Sequence, residues 1–370
     1  MKRLLLASDS FKGTLSNKDI VNIASSIIER YFKNEWVLDP LLIADGGEGT
    51  LDAFSPYWEG KKVEVDTIDA EGRQIKAPLL VNTKGEALFE VASVIGLPSI
   101  KGTIPPLART TKGLGILIKK AVSLGAKRIF VGLGGSSTND LGMGMLSELG
   151  IQFLGEEDPT MAEAASIKGI DASNYYLKGK NVQFVCLSDV GNPLLGKNGA
   201  TYVYGPQKGY EDLEGLEKSM SKLASLYEEA TSKSLQSLPG LGAAGGLGAA
   251  FYAFMDAKIE SGIETLLKFS DFEERAAKAD LVITGEGSFD EQSLQGKAYS
   301  GIRRRTPKEK LVVLCGRCQA VVSDTQVYET SKKEESFASI KKHAKEEYGK
   351  ALRRVLQDHL ERERKSGPAQ

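Results

Sequence analysis

The sequence predicts an α/β protein of two domains, and three observations carry that reading. Short apolar runs that end in Gly or acidic residues alternate with helical patterns, as strands and helices do around parallel sheets. At 370 residues the chain is long for a single domain, against a prior of ~100–200 residues per domain. Residues 61–92 break the alternation and read as an antiparallel meander, the mark of a second kind of domain.

Taken in order, residues 4–8 read as a first strand. Ser16 is placed to cap a helix running to about Phe32, with Ile20, Ile23, Ala24, Ile27 and Ile28 on one face. Residues 40–44 read as a second strand. In the meander, strands 62–66, 75–82 and 86–91 are joined by turns at Glu71-Gly72 and Lys84-Gly85. Then come a helix at about 110–124, a strand at Arg128–Gly132, a helix from about Asn139, a strand at 182–187 and a polar helix over 211–233. Leu281–Thr284, 310–315 and 337–340 read as further strands. Residues 342–365 read as a charged helix with an apolar stripe of Leu352, Val355, Leu356 and Leu360 that docks on its own domain, and 366–370 as a frayed tail.

Composition narrows the function classes. Lys plus Arg is 48 and Asp plus Glu is 49, a net charge of -1, which argues against nucleic-acid binding through bulk positive charge. No stretch approaches the ~18 apolar residues of a membrane span. The apolar run at 4–7 is broken by Asp9 and Lys12 and does not read as a signal peptide. Three cysteines in 370 residues make no disulfide framework, so a reduced cytoplasm is the expected home.

Chemistry is expected in the loops that follow the strands, because parallel sheets bind ligands beyond their carboxyl ends. Asp9-Ser10-Phe11-Lys12-Gly13-Thr14 offers a hydroxyl, an ammonium and free N–H groups before a helix, which suits an anion. Asp45-Gly46-Gly47-Glu48-Gly49-Thr50 lets backbone pass close to a ligand and supplies carboxylates for Mg²⁺ or for a hydroxyl proton. The run from Gly132 through Gly134-Gly135-Ser136-Ser137-Thr138-Asn139-Asp140 is similar to a dinucleotide fingerprint, but Ser137 stands where the third Gly or Ala belongs. Its N–H groups and hydroxyls, at an expected helix N-terminus, suit a phosphate. Gly191 to Asn198 nearly spells a P-loop and fails at Asn198; Asp189 just before it is a candidate base or metal ligand. Gly242 to Gly248 reads as a Gly-rich helix start, and Thr284-Gly285-Glu286-Gly287-Ser288-Phe289-Asp290 again places acids at a strand end. Cys315-Gly316-Arg317-Cys318 has the spacing of a thioredoxin-type pair, with only two thiols for any zinc. His343 and His359 neighbour no Ser or Cys motif.

In order from Met1 to about Lys297, these segments resemble the bacterial glycerate kinase family of single-chain, two-domain type. Asp9 to Thr14, Ala44 to Thr50, Arg109-Thr110-Thr111, Gly134 to Asp140, Asp189 with Asn192 to Gly196, Gly205-Pro206-Gln207-Lys208-Gly209, Gly242 to Gly248, and Thr284 to Gly287 with Asp290, Gln292, Ser293, Leu294, Gly296 and Lys297 carry the likeness. Ser137 stands where the family often has Ala, and Ser288 where it often has Arg. After Gly301 the likeness thins, and Cys315 to Gln319 replaces an apolar Ala-Gly loop.

The resemblance implies a flavodoxin-like or Rossmann-like parallel-sheet domain, discontinuous in sequence (1–60 plus 275–370), and a mixed α/β domain with the meander (61–274, of which 181–274 could belong to either). It places the active site in the cleft between domains. It implies ATP-dependent, Mg²⁺-assisted phosphorylation of D-glycerate, with 2-phosphoglycerate favoured over 3-phosphoglycerate, by a monomer or homodimer. Ser10, Lys12 and Arg109 are then expected on the glycerate carboxylate, with Gly46 and Gly47 beside the substrate. The ATP phosphates fall to Gly134, Gly135, Ser136, Ser137 and Asn139, and Lys208 or Lys297 offsets charge. Asp189, Glu286 and Asp290 are expected metal ligands, and Asp45 or Asp189 the base. An NAD(P)-dependent oxidoreductase of a small hydroxy acid, a thioredoxin-like redox protein using Cys315 and Cys318, and a non-catalytic glycerate sensor are the rival readings.

Overall fold

A computed structural model describes residues 1–236, 238–294, 298–322, 325–332 and 335–366. Residues 367–370 of the expected tail lie outside these. The chain forms two units, Met1–Ala44 with Leu266–Gln370, and Asp45–Thr265. Residues 45–60, expected with the first, cluster with the second, as do 181–265; 266–274 fall to the first. The main strands are β1 (Lys2–Leu6), β2 (Trp36–Pro40), β3 (Gly60–Ile68), β4 (Gln74–Asn82), β5 (Glu86–Glu90), β6 (Arg128–Gly132), β7 (Gln183–Leu187), β8 (Lys258–Glu260), β9 (Leu281–Thr284), β10 (Leu311–Cys315) and β11 (Gln326–Glu329).

In the first unit the sheet runs β11-β10-β9-β1-β2, all parallel. Counted within the unit this is the flavodoxin-like order 2-1-3-4-5, with its switch point between β1 and β9. Leu4 and Leu6 enter one apolar core with Ile283 and Leu314, while Leu5 is buried on the opposite face. That two-sided burial explains the unbroken apolar runs. Helix Asn17–Tyr31 starts as expected at Ser16, whose hydroxyl accepts from Asp19 N while Asp19 accepts from Ser16 N. Ile20, Ala24 and Ile28 bury its inner face. Helix Phe337–Ser366 packs on it through Tyr348, Leu352, Val355 and Leu356, so the expected stripe docks on its own unit.

Three expectations here need correction. The second strand is 36–40, not 40–44. The apolar run 41–44 passes beyond the sheet, with Leu41, Ile43 and Ala44 buried as loop. Residues 337–340 are not a strand but the first turn of the last helix, where the Ser336 hydroxyl accepts from Ser339 N at 3.3 Å. The fifth strand is β11, which the sequence reading missed; its residues are half-exposed or exposed.

In the second unit a six-stranded mixed sheet runs β8-β7-β6-β5-β4-β3. β5 to β8 pair in parallel, and β3, β4 and β5 form the meander. Gly72 and Gly85 take φ of 80° and 76° in its turns. Helices Lys112–Ser123, Leu213–Thr231 and Ala243–Met255 enclose a core with Phe89, Ile129, Leu146, Tyr227 and Phe251. No helix among the described residues is long and apolar enough to cross a membrane.

Candidate active site

The acid–glycine loop after β2 docks on the loop after β6 within the second unit. Gly46 O accepts from Gly134 N at 3.0 Å. Gly46 takes φ 92°, and a Cβ there would lie 2.3 Å from Leu187 O; a Cβ on Gly134 would lie 2.5 Å from Gly47 Cα. Side chains are thus excluded where the two loops cross. Asp45 stands exposed on this crossing, with Oδ1 accepting from Gly47 N at 3.1 Å.

Asp189 follows β7. Ser261 Oγ donates to its Oδ1 at 2.5 Å and Ile263 N to its Oδ2 at 3.2 Å. Burial pushes its carboxyl up to about 6, against those two hydrogen bonds, and the Asp45 and Glu264 charges push the same way. Among the described residues neither Asp45 nor Asp189 is ion-paired to a Lys or Arg. One or two carboxylates completed by phosphate oxygens is how Mg²⁺ is commonly held on a nucleotide, so this pair fits that ion. Of the expected metal ligands, Asp189 belongs to the second unit and Glu286 and Asp290 to the first. Asp290 Oδ1 instead accepts from Ser293 N and caps the turn Glu291–Leu294.

A cavity of about 560 Å³ opens beside these loops, floored by Gly134, Gly135, Ser136 and Lys208, with Leu97, Pro98 and Val190 as apolar wall. Lys208 is 4% exposed. Its Nζ donates to Thr138 O at 2.7 Å and bonds Ser136 Oγ and Asn139 Oδ1 at 3.0 Å. Burial pulls its ammonium down to about 7, helped by Arg109 and opposed by Asp140. Arg109 is buried, and its Nη1 donates to Lys208 O at 2.7 Å and Ser137 O at 3.2 Å. In this structure Arg109, expected on the glycerate carboxylate, braces Lys208 and its loop through Nη1. Asp140 accepts from Thr111 N and Oγ1 and from Gly142 and Gly144 N, completing the brace.

Two further corrections concern this loop. It does not open a helix: Leu141 and Gly142 turn left-handed (φ 53° and 69°), and only a six-residue helix, Met143–Glu148, follows. That break also removes the strand–turn–helix of a dinucleotide fingerprint. Ser137 and Asn139 are fully buried; Ser137 Oγ donates to Ile95 O at 2.8 Å, so these two shape the loop from beneath while Gly134, Gly135 and Ser136 face the cavity. Gly242 to Gly248 is no plain helix start either. Ala244, Gly245 and Gly246 are left-handed, and a Cβ on Gly245 would lie 1.9 Å from Thr138 O.

Glu90 was missed in the sequence. It ends β5, lines the same cavity and is 6% exposed. Leu51 N donates to its Oε1 at 2.5 Å, and Gly49 N also bonds it, so it holds the acid–glycine loop from below. Burial pushes it up to about 7, with Asp52 and Glu48 adding to the rise. Its signal was an acid inside the apolar run Ala87-Leu88-Phe89-Glu90-Val91.

In the first unit, Ser10 and Lys12 line a separate cavity with Glu286 and Asp290. Lys297 lies outside the described residues. Cys315 is buried and its thiol is pushed up by burial, unlike a reactive thioredoxin-type nucleophile.

A parallel flavodoxin-like unit, and a second unit whose Gly-Ser loop is pinned by a buried lysine, have the make-up of an α/β phosphotransferase. The glycerate kinase family model matches residues 4–360. A glycerate kinase of Bacillus cereus is 36% identical over 316 residues, 82% of this chain and 81% of that one. The glycerate 2-kinase of Escherichia coli K12 is 33% identical, over 81% of each. A crystal structure described as glycerate kinase 2 of Salmonella typhimurium LT2 superposes with TM-score 0.80 at 29% identity, covering 98% of this chain and 99% of that one. The chain belongs to the glycerate kinase family. It is a kinase, a phosphotransferase that draws on ATP.

Proposed function

We propose that the chain transfers the γ-phosphoryl group of ATP to D-glycerate, and to the 2-hydroxyl in preference to the 3-hydroxyl. The observation that carries the reading is the cavity of the second unit, lined by Gly134 to Ser136 and Lys208 and by Ser188 and Val190, the neighbours of Asp189. Its volume, about 560 Å³, lies within the ~300–1,000 Å³ usual for ligand pockets. The name of the Escherichia coli relative supports the 2-position.

Phosphoryl transfer needs positioning and charge stabilisation more than covalent help. Gly134 and Gly135 let the phosphates approach the backbone, and Lys208 fixes Ser136 beneath them, its partial charge at neutral pH rising as phosphate approaches. Asp189 accepts the proton of the attacking hydroxyl; a carboxyl near 6 is ionised at neutral pH yet basic enough to help. Ser261 orients it. A Mg²⁺ ion on the nucleotide would be held from Asp45, leaving Asp189 as the base, and would neutralise phosphate charge. In the first unit, Ser10 and Lys12 are the proposed donors to the glycerate carboxylate.

A coupled ADP-release assay with Mg-ATP and D-glycerate tests this, with L-glycerate and no acceptor as controls. Phosphorus NMR of the product then names the position. Stereospecific turnover to the 2-phosphate is expected. A 3-phosphate product would overturn the position alone, and absence of turnover the whole reading.

A further inference from the structure

The first unit's cavity, about 410 Å³, lies where loops leave the carboxyl ends of β1, β9, β10 and β11. That is the place where an open parallel sheet receives a ligand. Two cations line it, Lys12 and Arg317. Arg317 is held there by backbone. Residues 288–289 and 317–318 pair in parallel with Ser288 opposite Arg317, and Arg317 N donates to Gly287 O at 3.1 Å. A Cβ on the preceding Gly316 would lie 2.3 Å from Gly287 O, so the two loops are in close contact. Arg317 Nη2 donates to Glu335 O, whereas its Nε is buried without a hydrogen-bond partner. Among the described residues neither Arg317 nor Lys12 has an ion-pair partner.

The rest of the lining says which anion belongs. Among the described residues Ser10, Thr14, Ser288 and Gln319 line the same cavity, beside the carboxylates of Asp9, Glu286 and Asp290. A monocarboxylate with hydroxyl groups suits this lining: the guanidinium and the ammonium offer charged donors to the carboxylate, and side-chain oxygens receive the hydroxyl hydrogens.

We propose that Arg317 binds the carboxylate of the hydroxy-acid substrate, with Lys12 and Ser10 as companion donors. The proposal rests on the function given in the preceding section. Loss of a charged hydrogen-bonding partner predicts that Arg317→Met raises the D-glycerate KM roughly 10- to 100-fold and leaves the ATP KM within about twofold. Arg317→Lys, which keeps charge but loses the fork, falls between. Without nucleotide, D-glycerate should raise the melting temperature of the full chain, glycerol should not, and Arg317→Met should abolish the rise. Circular dichroism of both variants checks that they fold. A raised ATP KM with unchanged glycerate KM would overturn the proposal in favour of a phosphate site. Unchanged KM values in a folded Arg317→Met would also overturn it while leaving the kinase reading intact. A wild-type chain that neither binds nor turns over D-glycerate would remove both.

Discussion

Glu90 and Asp189 are carboxylates whose burial raises their pKa, and the sign of the consequence differs between stability and catalysis. For stability, a carboxyl raised in the folded state favours folding below its unfolded pKa, and that contribution is lost as pH rises through the folded value. For Glu90 the window runs from its ordinary 4.5 to about 7. Glu90→Gln keeps an acceptor for Leu51 and Gly49 N but cannot ionise. Its melting temperature should therefore fall less than wild type between pH 5 and 7.5, the difference corresponding to on the order of 3 kcal/mol. Parallel pH profiles would sink the assignment. For catalysis, a base must be ionised, so wild-type kcat/KM should rise with pH through about 6. Asp189→Asn should abolish that limb and lower kcat at least ~10²-fold, with the fold retained. Near-normal turnover would transfer the role to Asp45.

At the scale of elements, the crossing of the acid–glycine loop and the Gly134 loop is a backbone-to-backbone contact. Gly46→Ala must leave φ 92° or push Leu187 O away, and should cost at least ~2 kcal/mol and lower activity. A melting temperature equal to wild type would show that the loops separate freely. The same elements show what was legible in the sequence. Strands covered on both faces, β6, β9 and β10, were found almost to the residue, because burial leaves an unbroken apolar run, whereas β1 was placed two residues late, at 4–8 instead of 2–6. β2 and β11 end the sheet. Trp36-Val37-Leu38-Asp39-Pro40 and Gln326-Val327-Tyr328-Glu329 mix polar and apolar residues, so the neighbouring run 41–44 drew the eye instead. Four residues such as Phe337-Ala338-Ser339-Ile340 are too few for periodicity to separate strand from helix. In the site, glycines and acids announced the loops. Whether Arg109, Ser137 or Asn139 faced a ligand or the protein was decided by partners far along the chain, such as Lys208, and no local pattern records those.

At the scale of the molecule, Asp45–Thr265 is a continuous insertion into a unit built from both ends of the chain. Its two termini meet: a Cβ on Gly262 would lie 2.5 Å from Asp45 C. An insertion that leaves and returns at one point is joined to its host like a domain fused through a loop. Residues 45–265 expressed alone should then melt cooperatively, whereas 1–44 alone should show no transition; a fragment 45–265 without a cooperative melt would refute this independence. The arrangement also sets an order on the ribosome. β1 and β2 emerge first, but their neighbour β9 follows only after the whole insertion. At ~5–20 residues per second, the roughly 220 intervening residues take about 10 to 45 s to synthesise. During that interval β1 has β2 beside it but not β9, so Leu4, Leu5 and Leu6 wait with one edge of their strand unpaired while the later unit folds ahead of it.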